Sequence, residues 1–198
     1  MLTAGSKQPA VIKLDYASTH REIVEACKKG DRQAQFELYR LYGKAMYNVC
    51  LRMVKNETDA EDLLQNSFVD IFTKLDSFRF QSSIGAWIKR IVINNCINFL
   101  KKRRLPLEEL DVERHDHSPQ PAVTPVVIGL SVEAVKSAMM ELPDGYRIVF
   151  SLYMLEGYDH KEIGEILGVT EATSKSQYSR AKRKLQEILM TRKQSSNY

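Results

Sequence analysis

The sequence has no apolar run near the roughly 20 residues that a membrane-spanning helix requires. Its apolar stretches, such as 91–93 and 126–128, are far shorter. The first 14 residues lack the apolar segment that follows the basic start of a secretory signal, so the expected location is the cytoplasm. Cysteine is scarce: Cys27, Cys50 and Cys96 stand far apart and form no CxxC pair. That argues against a zinc clamp or a disulfide framework and leaves each to pack as a small apolar residue. No repeat of roughly 20 to 50 residues and no low-complexity tract is present, which excludes a solenoid. Strict apolar/polar alternation, the sign of a half-buried strand, is missing as well. The charge imbalance is modest, net +4. It suits an anionic partner without demanding one, so where the charge sits matters more than its sum.

What is present is an apolar period close to 3.6 almost throughout, which predicts an all-α chain. Thr19 with Glu22 has the form of a capping box, opening a short helix with Ile23, Val24 and Cys27 that stops at Gly30. Asp31 is placed to cap a second helix, which buries Phe36, Tyr39, Met46, Val49, Cys50 and Met53 and fades at 55–57. Thr58 with Glu61 forms a further capping box. The helix it opens carries Ala60, Leu63, Leu64, Phe68, Ile71, Phe72 and Leu75 at i, i+3, i+4 spacing. After a loop over 76–83, a long helix of about 84–104 turns Ile84, Trp87, Ile88, Ile91 and Cys96 to one side. On its other side Arg90, Asn94, Asn98 and Lys101 fall at successive turns and make a polar stripe. The helix ends in Lys101, Lys102, Arg103 and Arg104.

Over 106–129 the composition changes abruptly. Pro106, Pro119, Pro121 and Pro125, with the acids Glu108, Glu109, Asp111, Glu113 and Asp116, mark a linker and a domain boundary. His115 and His117 within it form a lone HxH, read as solvated linker rather than as a metal site. Four helices follow, at 132–141, 145–155, 160–167 and 171–190, separated by Pro143, Gly157 and Gly168. The expected division is an extension over 1–17, a four-helix domain over 18–105, a flexible acidic linker over 106–130, a four-helix domain over 131–193 and a tail over 194–198. Such a linker should let the two domains move independently.

The segment HKEIGEILGVTEATSKSQYSRAKRKL has the form of a helix-turn-helix. Ile163 and Leu167 face a core, Gly164 lets the second helix approach, Gly168 permits the tight turn, Val169 plugs it and Thr170 caps the helix that follows. Tyr178, Ala181, Leu185, Ile188 and Leu189 form the inward stripe of that helix. Lys175, Ser176, Ser179, Arg180 and Arg183 are left outside, a face suited to a major groove, with Lys182, Arg183 and Lys184 placed to neutralise phosphates. Ser174 occupies a position that is usually apolar.

A helix-turn-helix behind an acidic linker and a basic-ended four-helix domain resembles the extracytoplasmic-function (ECF) sigma factors of the sigma-70 family. The likeness rests on DAEDLLQNSFVDIFTKLDSF with SSIGAWIKRIVINNCINFLKKRR, and on ELPDGYRIVFSLYMLEGYDHKEIGEILGVTEATSKSQYSRAKRKL. It implies a non-enzymatic protein without a cofactor, a metal or a small-molecule substrate. Its partners would be bacterial core RNA polymerase (the largest-subunit clamp coiled coil and the flap), promoter DNA and an anti-sigma factor. The resemblance places Asp62, Gln65 and Asn66 on the polymerase clamp; the family often has an acid at the position of Asn66. Phe78, Arg79, Phe80, Gln81, Ser82, Arg90, Asn94, Asn98 and Lys101 would hold melted minus-10 DNA, with Trp87 assigned to core packing. Thr170, Lys175, Ser176, Ser179, Arg180 and Arg183 would bind the minus-35 element. Ala172 and Gln177 depart from the family's pattern in a way expected to bear on promoter sequence. Residues 1–17 lie outside the likeness.

Three other readings compete. A stand-alone helix-turn-helix regulator would use the second domain but would leave the Asp62 face and the Phe78 loop without a task. A nuclease built on Asp59, Glu61 and Asp62 lacks a nearby histidine or lysine to complete a catalytic set, and Asp59 and Glu61 are accounted for by the helix macrodipole. A pure adaptor would bind no DNA in a salt-sensitive way.

Overall fold

The structure, a computed structural model, describes residues 20–103 and 131–195. The expected extension, the linker with its histidines and acids, and Thr19 lie outside the described residues. Among the described residues every regular element is helical.

Helix α1 (Arg21–Lys28) starts one residue later than the Thr19 box implies, with His20 at its N-cap in the left-handed region, φ 57°. No side chain caps it; instead His20 Nδ1 hydrogen-bonds Tyr42 Oη at 2.9 Å and anchors the helix start on α2. In α2 (Arg32–Val54) the Asp31 carboxylate accepts from the Gln33 and Ala34 N–H groups at 2.8 and 3.3 Å, as its position predicts. α3 (Glu57–Lys74) begins earlier than Thr58 suggests, because the Asn56 carboxamide accepts from the Asp59 N–H at 2.9 Å. A 3-10 turn (Leu75–Ser77) follows, and α4 (Ile84–Lys102) is capped by the Ser83 hydroxyl.

These helices enclose a core of Leu38, Met46, Val49, Cys50, Met53, Ala60, Ile71, Ile84, Ile88, Val92 and Cys96, with Val24 and Cys27 of α1 packed in. Phe36 does not join it. It is 67% exposed, since Leu38, two residues on and so about half a turn round the helix, fixes the inward face. Tyr39 is half-exposed, its ring edge against Phe68 with centroids 4.8 Å apart.

The second module holds α5 (Val132–Met140), α6 (Asp144–Met154), α7 (His160–Leu167) and α8 (Glu171–Ser195). Ala138, Met139, Leu142, Phe150, Ala181 and Leu185 form its own small core. Ile148, Val149, Leu152, Ile163 and Leu167 point elsewhere: they are continuous with the core of the first module, with α6 packed on α2 and α7 on α4. In this structure the two modules are therefore in contact through α6 and α7. Composition locates the linker but not the apolar face of α6 and α7, which is wider than one small domain needs.

Candidate nucleic-acid and partner surfaces

The loop after the 3-10 turn is built around two aromatics with different fates. Phe78, expected to touch DNA, is 3% exposed and packs its ring against Phe80 and Trp87, with centroids 4.9 and 5.4 Å away. It is a floor to the loop rather than a contact, because an aromatic beside a core edge gains more from burial than from solvent. Trp87 is half-buried on that floor, in keeping with core packing.

Phe80 is half-buried and sits in the left-handed region, φ 56°. For a bulky side chain that conformation costs about 1–3 kcal/mol. Opposing it, the Arg21 guanidinium and the Lys28 ammonium of α1 lie over the Phe80 ring, 4.5 and 4.9 Å from its centroid, each worth about 0.5–1 kcal/mol. Lys28 Nζ also donates to the Phe78 carbonyl at 2.9 Å, which adds about 1 kcal/mol. The sum matches the strain. Arg79, Gln81 and Ser82 project outward beside it.

Along α4, Arg90, Asn94, Asn98 and Lys101 are all exposed, so the polar stripe exists as expected. Asn95, one position away, turns inward instead and donates to Ser67 Oγ and Asp70 Oδ2 at 3.1 and 3.0 Å. Arg103 holds Asp59 through two hydrogen bonds of 2.7 and 3.1 Å. Asp59 thus ties α3 to the end of α4, a partner that its position at a helix start does not reveal.

Asp62, Gln65 and Asn66 are exposed on one face of α3, backed by buried Leu63, Leu64, Ser67 and Phe68. Beside them lies an open groove of about 500 Å³ between α2 and α3, lined by Tyr39, Arg40, Lys44, Tyr47, Glu61 and Gln65 among others. The α2 half of this surface was not read from sequence. The half-exposed tyrosines at i, i+8 were the available signal.

The helix-turn-helix is assembled as its spacing requires. Asp159 and Glu162 form a capping box on α7, each bond 2.8 Å. A Cβ on Gly164 would meet the Val169 carbonyl oxygen at 2.8 Å, and Gly168 adopts φ 78°. Thr170 Oγ1 accepts from the Thr173 N–H at 3.0 Å and so occupies itself in capping. Ser174 is fully buried, and its hydroxyl hydrogen-bonds His160 Nδ1 at 2.9 Å. The polar residue at an apolar position is therefore satisfied by a side chain from α7. His160 stacks on Tyr153 with centroids 4.4 Å apart. Burial, and then the nearby Lys175 charge, hold its pKa below the usual histidine value.

Lys175, Ser176, Ser179 and Arg183 are exposed and Arg180 is half-buried, so the outward face of α8 is as expected. Two details modify it. Lys175 is paired with Glu171 at 2.6 Å, and Ser176 donates to the Thr173 carbonyl at 2.9 Å. Gln177 is 2% exposed, so its departure from the family's pattern falls inside the module and not on the groove-facing side. Lys182 lies over the Tyr178 ring, 4.9 Å from its centroid.

The family model for Sigma-70 region 2 matches residues 38–105, and that for Sigma-70, region 4 matches residues 128–185. The chain is 29% identical over 180 residues to the ECF RNA polymerase sigma factor SigW of Bacillus subtilis (strain 168), covering 85% of this chain and 96% of that one. It is 30% identical over 174 residues to the ECF RNA polymerase sigma-E factor of Salmonella typhimurium (strain 14028s / SGSC 2262), covering 83% and 91%. Among solved structures it is similar to the sigma factor RpoE from Bartonella quintana, determined in complex with the anti-sigma factor NepR. There the TM-score is 0.51 and the identity 26%, over 78% of this chain and 95% of that one.

Proposed function

The chain belongs to the extracytoplasmic-function sigma factors of the sigma-70 family, and from that premise we propose how its surfaces divide the work. It is an RNA polymerase sigma factor: with core polymerase it recognises promoter DNA and starts transcription. Asp62, Gln65 and Asn66, continued by the α2–α3 groove, take the clamp of the polymerase largest subunit. Arg79, Phe80, Gln81 and Ser82, with the stripe Arg90, Asn94, Asn98 and Lys101, hold the opened minus-10 strand by stacking and by cations. Lys175, Ser176, Ser179, Arg180 and Arg183 read the minus-35 duplex, with Thr170 fixing the helix start. An anti-sigma protein, such as the one bound to the Bartonella quintana relative, silences the chain. The chain itself makes and breaks no covalent bond, and it works in the cytoplasm.

One observation supports this division above the others. The three polar faces are those the packing leaves open, each carried on a helix whose opposite side is buried. Capture of core polymerase by Asp62→Ala/Gln65→Ala protein tests it. The double variant should melt like the parent, because both side chains are exposed, and should no longer retain core enzyme. Undiminished retention would remove the clamp assignment and favour a stand-alone DNA-binding regulator.

A further inference from the structure

α1 lies ahead of residue 38, where the region 2 match begins, and packs Val24 and Cys27 into the core. Its two cations nevertheless converge on the loop. Arg21 and Lys28 are seven residues apart and therefore share a face of the helix. Both reach the ring of Phe80, the residue whose left-handed backbone most needs support. Lys28 is held twice, by that ring and by the Phe78 carbonyl. Arg21 is exposed, as is Lys29 beyond it. An aromatic ring flanked by cations at a loop tip is the arrangement that binds an unpaired base together with its phosphates.

We propose that α1 is part of the minus-10 strand site. Arg21 and Lys28 are positioning residues that hold Phe80 in its strained conformation so that the ring meets an unpaired base. Their charges also attract the phosphates on either side of that base. The ligand is single-stranded promoter DNA, and the proposal rests on the assignment of residues 79–82 to the opened strand. Strain at Phe80 is then the preorganisation of the site: the loop is fixed before DNA arrives.

The test uses holoenzyme reconstituted from core polymerase and the full chain. The probe is a fragment of a promoter mapped with that holoenzyme, mismatched over the minus-10 element so that it is already open. Arg21→Gln and Lys28→Met should each weaken binding of this fragment about tenfold. Retention of core polymerase and binding of the minus-35 duplex should stay at parental levels. Arg21→Lys should restore most of the loss, and each lost cation should flatten the dependence of log affinity on log salt by about 0.7. In a Phe80→Ala background, Arg21→Gln should weaken binding much less than it does alone, since it acts through the ring. If Arg21→Gln and Lys28→Met bind the open fragment as the parent does while Phe80→Ala and Gln81→Ala weaken it, α1 has no part in the site and the loop assignment stands. If the loop variants too bind like the parent, the assignment of residues 79–82 falls and this proposal falls with it.

Discussion

Arg147 belongs to α6, yet its guanidinium donates to the carbonyl oxygens of Arg52 and Met53 at the C-terminal end of α2, at 2.8 and 3.3 Å. It also donates to the Leu142 carbonyl and to Asp144 within its own module, at 3.2 and 2.6 Å, and is 1% exposed. A helix C-terminus presents orphan carbonyls and partial negative charge, and a guanidinium supplies several donors in a fixed fork. Nearby, Glu156 faces both Arg52 and Lys89, at 2.6 and 3.4 Å. In this docked arrangement Lys101 Nζ lies 4.0 Å from where a Cβ on Gly168 would stand.

Arg147→Met should break the joint. It leaves the Arg52, Met53 and Leu142 carbonyls without this donor, for a loss of about 2–4 kcal/mol in urea unfolding. Labels at the exposed positions Lys44 and Lys184 should report a longer and broader distance than in the parent. An unaltered distance distribution would show that Arg147 does not hold the modules together.

Glu156→Gln removes the charge opposite Arg52 and Lys89, whose side chains are 22% and 28% exposed. A loss of about 1–2 kcal/mol is expected. Because the residue shares an interface with Arg147, the loss should shrink when Arg147→Met is already present. Full additivity in a double-mutant cycle would contradict a common interface.

Gly164→Ala places a methyl group 2.8 Å from the Val169 carbonyl, a backbone atom that cannot move aside cheaply. The turn must shift, so the second module should lose about 1–3 kcal/mol and minus-35 duplex binding should fall. Retention of core polymerase through the first module should persist. Parental affinity for the duplex would mean that the close approach at Gly164 is not needed.

Much of this was legible beforehand, because helices declare themselves by period and by their caps. Asp31, Ser83-adjacent Ile84, Gly164 and Gly168 behave as their positions predict. The α4 stripe and the outward face of α8 follow from angular spacing alone. What stayed hidden depends on partners distant in sequence. Phe78 and Phe36 exchange their expected places because burial is decided by what packs opposite, and periodicity cannot say which edge of a face is covered. The hydroxyl of Ser174 is satisfied by His160, a partner 14 residues away on another helix. The Arg103–Asp59 and Arg147–Arg52 contacts span 44 and 95 residues, and no local pattern announces them.

The stability of the helix-turn-helix should depend on pH through His160. In the fold its imidazole lies against Tyr153 and Tyr178 and bonds Ser174, with Lys175, Glu171 and Asp159 as the charged groups around it. Burial and then Lys175 lower its pKa, so the unfolded chain takes up the proton first as pH falls. The contribution is complete above the ordinary histidine value of about 6.5 and is lost as pH falls through the lower folded value. Unfolding midpoints measured between pH 8 and pH 5 should show this decline in the parent and less of it in His160→Asn. Parallel curves for the two proteins would rule it out.

Initiation by a reconstituted system tests the central claim most directly. Core RNA polymerase and the full chain, incubated with bacterial genomic DNA and nucleotides, should yield transcripts from discrete start sites that share upstream sequence, and none without the chain. Transcripts no different with and without it, from an active core enzyme, would contradict the assignment of this protein to promoter choice.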